Sequence, residues 1–161
     1  MTGTIEKRLI GLGFELQMPE GDGYYGENYG TMKPFHIVDN VLHLSGHVPQ
    51  KDGRPLYSGR LGEDVTVGQG IEAAQPTALN AIVGMKQALG ELDRVAGIIK
   101  SLNFIACAPD FTDVHLVSSA MADRLVDVFG RDIGVGCRAT IGLQSLADNH
   151  CLETWIEVEI Q

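Results

Sequence analysis

"GVGCRATIGLQSLADNHCLETWIEVEIQ" runs from Gly134 to Gln161 and closes the chain. Two apolar-rich runs flank a polar stretch, Leu146 to Asn149, so the pattern predicts two strands joined by a turn. In the second run Leu152, Ile156, Val158 and Ile160 share one face, while Cys151, Glu153, Trp155, Glu157 and Glu159 share the other. The first set calls for an apolar layer beneath it. The second carries three carboxylates and the only tryptophan of the chain, too charged a set for a monomer core. A face of that kind meets either water or a second subunit.

If the two runs make a hairpin, Arg138 of the first falls opposite some position in Glu153–Glu157, with Cβ atoms ~4.5–7 Å apart. Two readings of that neighbourhood stay open. One is an ion pair, worth ~0–1 kcal/mol where exposed. The other is a guanidinium fork that grips a ligand carboxylate at two points, beside a glutamate that moves protons through water.

Upstream, "PFHIVDNVLHLSGHVP" from Pro34 reads as a hairpin with Asp39-Asn40 as its two-residue turn. Alternation along its second run puts Leu42, Leu44, Gly46 and Val48 on one side, and Val41, His43, Ser45 and His47 on the other. A first long helix is expected over 66–92, with Thr66 and Gln69 at capping-box spacing. Its inner stripe is Ile71, Gln75, Ala78, Ile82, Met85 and Leu89. Pro76 cannot donate to the carbonyl of Glu72 and should kink it. "VAGIIKSLNFIACA" is a strand. A second helix is expected from Pro109 and Asp110, with Val114, Val117, Met121, Leu125 and Val128 inside and Gly130 as its stop. A short helix over 4–12 and a Gly- and Tyr-rich surface loop over 18–33 precede the rest; its tyrosines are placed to cover a neighbouring surface or a pocket. The order strand, strand, helix, strand, helix, strand, strand predicts an α+β fold with two helices on one face of a mixed sheet.

With 161 residues the chain suits one domain that buries a real core. The net charge of −9 and the scattered Lys and Arg weigh against nucleic acid and against anionic membranes as partners. No apolar run is long enough to span a bilayer. Three cysteines without a Cys-x-x-Cys read as buried free thiols, so a cytoplasmic location is expected. His43 and His47 lie ~13 Å apart along a strand and cannot share an ion. Metal ligation is therefore not expected, and no cofactor is expected either. Ser45 lacks the elbow of a hydrolase nucleophile and reads instead, with Gly46, as a point of close backbone approach.

Taken together, "LHLSGHVP", "IKSLNFIACAPDFTDVH" and "CRATIG" followed by "LETWIEVEI" resemble the Rid family, also called YjgF-like or endoribonuclease L-PSP proteins. The resemblance spans about Pro34 to Ile160, with residues 1–33 as an N-terminal extension to the 34–161 core. It implies a chorismate-mutase-like fold and a homotrimer with ligand pockets in the clefts between subunits. It further implies hydrolysis of amino-acid-derived enamines and imines to 2-oxo acids and ammonia. By the same resemblance Arg138 holds the substrate carboxylate, Glu153 positions water, and Ser45 and Gly46 line the pocket. Three positions depart from the deaminase pattern: Phe35 in place of tyrosine, His115 in place of asparagine, and Thr140 in place of cysteine. The alternative implied is a non-catalytic trimer that binds small carboxylates.

Overall fold

The computed structural model describes residues 3–21, 23, 24 and 26–161; positions 22 and 25 of the Tyr-rich loop lie outside that set. In chain order the elements are α1 (Thr4–Gly11), β1 (Phe35–Val38), β2 (Val41–Leu44), β3 (Gln50–Lys51), β4 (Arg54–Pro55), α2 (Val67–Leu89), β5 (Val95–Ala106), α3 (Val114–Phe129), α4 (Arg131–Gly134), β6 (Cys137–Leu143) and β7 (Leu152–Ile160). Among the described residues five strands form one sheet in the order β1-β2-β7-β5-β6, in which β5–β6 is parallel and the other pairs are antiparallel. α2 and α3 pack on each other and on one face of it. This is the expected α+β layer.

Local signals work as their chemistry dictates. Thr66 Oγ1 accepts from Gln69 N–H, and the Gln69 side chain accepts from Thr66 N–H, so the capping box closes α2 at its start. The β1–β2 turn is the two residues Asp39 and Asn40, with Asp39 at φ 52°. Gly130, at φ 81°, ends α3. The α3 stripe is buried at Val117, Met121, Leu125 and Val128, with Val114 half-buried. The α2 stripe is buried from Ala78 onward, but ahead of Pro76 it is Ala73 and Ala74 that turn inward, leaving Ile71 half-buried and Gln75 exposed. Small residues there let the helix approach the neighbouring elements closely. β3 and β4, joined through Asp52 and Gly53 at positive φ, make a small hairpin inside a stretch expected to be loop.

Three expectations are corrected. First, β6 and β7 are not a hairpin. β5 lies between them, parallel to β6 and antiparallel to β7, because the α3 crossover delivers β6 in the same direction as β5. Arg138 therefore pairs with Ser101, whose own partner on β7 is Ile156; it faces no glutamate. Secondly, His47 does not share a face with His43. His43 and His47 are four positions apart, while their partners Glu157 and Thr154 are three apart. The extra residue is a bulge that swings His47 onto the core side. Thirdly, Cys137 is exposed, whereas Cys107 and Cys151 are buried, Cys151 despite its place in the wet-face alternation.

The carboxylates of β7 have separate tasks. Glu157 pairs across strands with Lys100 at 3.3 Å and lies 3.5 Å from His43. Glu159 accepts from Asn40 Nδ2 at 3.4 Å. These three contacts lie on the open face and contribute little stability. Glu153 is different.

Candidate functional site

Gly46 is where the chain after β2 crosses β7. A Cβ built there would lie 1.9 Å from Glu153 Oε1, 2.7 Å from its Cδ and 3.0 Å from Trp155 Nε1. Only glycine leaves room for the carboxylate. Trp155 Nε1–H donates to Glu153 Oε1 at 2.6 Å, and its ring meets Phe104 edge-on at 5.0 Å between centroids. The half-buried Glu153 thus rests on bare backbone, steered by an indole. His47 fixes that backbone from below. Its N–H and C=O both pair with Thr154, and Nδ1–H donates to the Ser45 carbonyl at 2.8 Å. It is 2 % exposed, and burial pushes its pKa down to about 4, against the weaker opposing effect of the Ser45 bond. A Cβ on Gly84 of α2 would lie 2.7 Å from His47 Nε2, so the ring sits in a notch that the helix leaves open. The Ser45 hydroxyl donates to the Lys33 carbonyl and so holds the end of the Tyr-rich loop.

That loop is not merely surface. Tyr29 and Met32 join Ser45, Gly46, Glu153 and Trp155 around a cavity of about 470 Å³. The Tyr29 hydroxyl donates to Asp148 Oδ2 at 2.7 Å, closing the loop onto the turn before β7. Its phenol is pushed up to about 12, first by burial, then by the Asp148 bond and charge, and last by Glu153. His150, 1 % exposed, is part of the cavity wall, and burial lowers its pKa against the charge of Asp148. Sequence reasoning placed the tyrosines near a pocket and missed His150, Asp148 and Met32. The turn residues before β7 hinted at Asp148 and His150, and Met32 lay at the end of the loop that carries the tyrosines.

Arg138 lies elsewhere. Its partner Ser101 is buried, so the side chain leaves β6 on the helix side, where Nη1–H donates to Ser119 Oγ of α3 at 3.3 Å. Ser119 in turn donates to the His115 carbonyl at 2.8 Å. Thr140, on the same face of β6, shares a 2.6 Å hydrogen bond with Ser118. Arg138 and His115 are exposed, and among the described residues no ion pair engages Arg138. Phe35 is half-buried against the core and is not among the residues found around the cavity. The predicted site residues therefore fall into two groups on opposite faces of the sheet. Ser45, Gly46 and Glu153 form one; Arg138, Thr140 and His115 form the other. Among the described residues no three His, Cys, Asp or Glu side chains converge as a metal site, and no helix is long and apolar enough to cross a membrane.

A mixed five-stranded sheet under two long helices makes this a small α+β protein. The sequence profile described as "YjgF/chorismate_mutase-like, putative endoribonuclease" matches residues 6–145. The chain belongs to that YjgF-like, or Rid, family. It is similar to protein Atu1372 of Agrobacterium tumefaciens, a protein of unknown function, with 34 % identity, 98 % of this chain and 94 % of that one covered, and a TM-score of 0.84. A Shewanella oneidensis MR-1 protein named "putative endoribonuclease" aligns at 30 % identity over 98 % of this chain and 100 % of its own, with a TM-score of 0.85. Protein TCP17 of Trypanosoma cruzi is 34 % identical over 119 residues, 74 % of each chain.

Proposed function

We propose that the protein hydrolyses reactive enamines and imines derived from amino acids to 2-oxo acids and ammonia, at clefts where the Arg138 group of one copy meets the Glu153 group of the next in a homotrimer. The observation that carries this reading is the exposed guanidinium of Arg138, held by a serine hydroxyl and engaged by no carboxylate among the described residues. A fork left open in this way matches a ligand carboxylate. Glu153 stands on the opposite face of the same sheet, so both groups can reach one ligand only across a junction between copies.

The chemistry needs little more. Arg138 anchors the substrate carboxylate and fixes the imine carbon. Glu153 accepts a proton as water adds to that carbon, and returns it as the C–N bond of the resulting carbinolamine breaks and ammonia leaves. Imines generated in situ should be consumed faster than in buffer by the wild type and not by Arg138→Ala. Sedimentation should give trimers. Acceleration that survives Arg138→Ala, or a monomer that is fully active, overturns the reading.

One observation favours a second reading, a trimer that binds small carboxylates without turning them over. The Thr140 hydroxyl is engaged by Ser118 and Phe35 has no hydroxyl to offer, so fewer proton-handling groups reach the cleft. A thermal shift with 2-oxo acids but no imine hydrolysis would select it. RNA cleavage, the activity in the names of some relatives, is disfavoured by the net charge of −9 and by the presence of a carboxylate, with no Lys or Arg, among the residues found around the cavity.

A further inference from the structure

The cavity over Glu153 is large for the smallest imino acids, and its wall is specific. Met32, Leu44, Val48 and Trp155 make it apolar, while Glu153 supplies a negative charge and Tyr29 brings Asp148 alongside. About 470 Å³ on the single chain, before a neighbouring copy covers its open side, falls within the ~300–1,000 Å³ of pockets that enclose drug-sized molecules; a three-carbon imine is small beside it. The outer wall is pinned rather than loose. Tyr29 bonds Asp148, Gln87 Nε2 of α2 donates to the Gly23 carbonyl at 2.8 Å, and Ser45 holds Lys33.

We propose that this cavity is the side-chain pocket of the site and selects imines of large apolar amino acids, such as those of leucine, methionine and phenylalanine, over 2-aminoacrylate and over imines with acidic side chains. The inference rests on the deaminase reading for the reaction, but the pocket's preference can be measured without turnover. Each further methylene buried in such a wall contributes about fourfold in affinity. Imines bearing a carboxylate side chain meet Glu153 and Asp148 and are repelled.

The test compares initial rates on imines made in situ by an amino-acid oxidase from alanine, leucine and glutamate. The leucine-derived imine should be favoured over the alanine-derived one by at least about tenfold in kcat/KM, with the glutamate-derived one poorest. Ala147 is exposed and lines the cavity, so Ala147→Phe should fold and should cut the leucine-to-alanine ratio severalfold. Equal or faster hydrolysis of the alanine-derived imine, or an unchanged ratio in Ala147→Phe, overturns the inference and leaves the deaminase reading standing. If no imine is hydrolysed, the deaminase reading fails and the pocket is judged by binding. Trp155, the only tryptophan, then reports titration with pyruvate and with 4-methyl-2-oxopentanoate. Tighter binding of the larger acid supports the pocket; equal binding overturns it.

Discussion

Replacing His47 by glutamine should flatten the acid limb of the stability profile. The imidazole is neutral in the folded protein because burial lowers its pKa from 6.5 to about 4. In the unfolded chain the same ring takes a proton near 6.5. Between those values the unfolded state binds a proton that the folded state refuses, so stability falls as pH drops through that window. Above about 6.5 the contribution is complete, and below about 4 both states are protonated and no more is lost. The gap between 6.5 and about 4, at ~1.4 kcal/mol per pH unit, amounts to about 3 kcal/mol, or roughly 6–12 °C in Tm for a chain of this size. His150 is shifted in the same direction, so the wild-type profile alone would mix the two. Denaturant unfolding from pH 7 to pH 4, at one protein concentration, should therefore show a loss larger in wild type than in His47→Gln by about 3 kcal/mol. Parallel profiles would mean that the ring is not held neutral, and the account of how Ser45 and Gly46 are positioned would fail with it.

Gly46→Ala should leave the fold intact but evict Glu153 from Trp155 Nε1; a shifted Trp155 emission with lost activity is the expected pair of results, and unchanged emission contradicts the geometry. Asp93→Ala removes the carboxylate that accepts from Thr4 and Ile5 N–H at 2.7 and 2.8 Å. The loss should be about 1 kcal/mol, with α1 cleaved first in limited proteolysis; equal protease resistance would refute the role. Tyr29→Phe should raise amide exchange across residues 26–32 with little change in Tm, and unaltered exchange would show that the Asp148 bond does not hold the loop.

Much of the architecture was written locally. The alternation of Leu152, Ile156, Val158 and Ile160, the Thr66–Gln69 capping box and the Gly130 stop each state their structure within a few residues. What stayed hidden depends on partners distant in sequence. Nothing in β6 or β7 announces that β5 will lie between them, because a strand's pattern specifies its faces and not its neighbours. One extra residue between His43 and His47 reverses a side chain, and no residue type marks it. Arg138 and Glu153 were legible as the groups worth watching, but their placement on opposite faces follows from that unannounced strand order. Tyr29 meets Asp148 across 119 positions, a contact no window along the chain could contain.

The separation of Arg138 from Glu153 makes genetic complementation informative. On the proposed trimer, Arg138→Ala and Glu153→Gln chains, each expected to be inert alone, should on co-assembly in equal amounts regain about a quarter of the wild-type centres, since a proposed junction works when each neighbour contributes its undamaged half. A protein whose chemistry resided within one polypeptide would regain nothing.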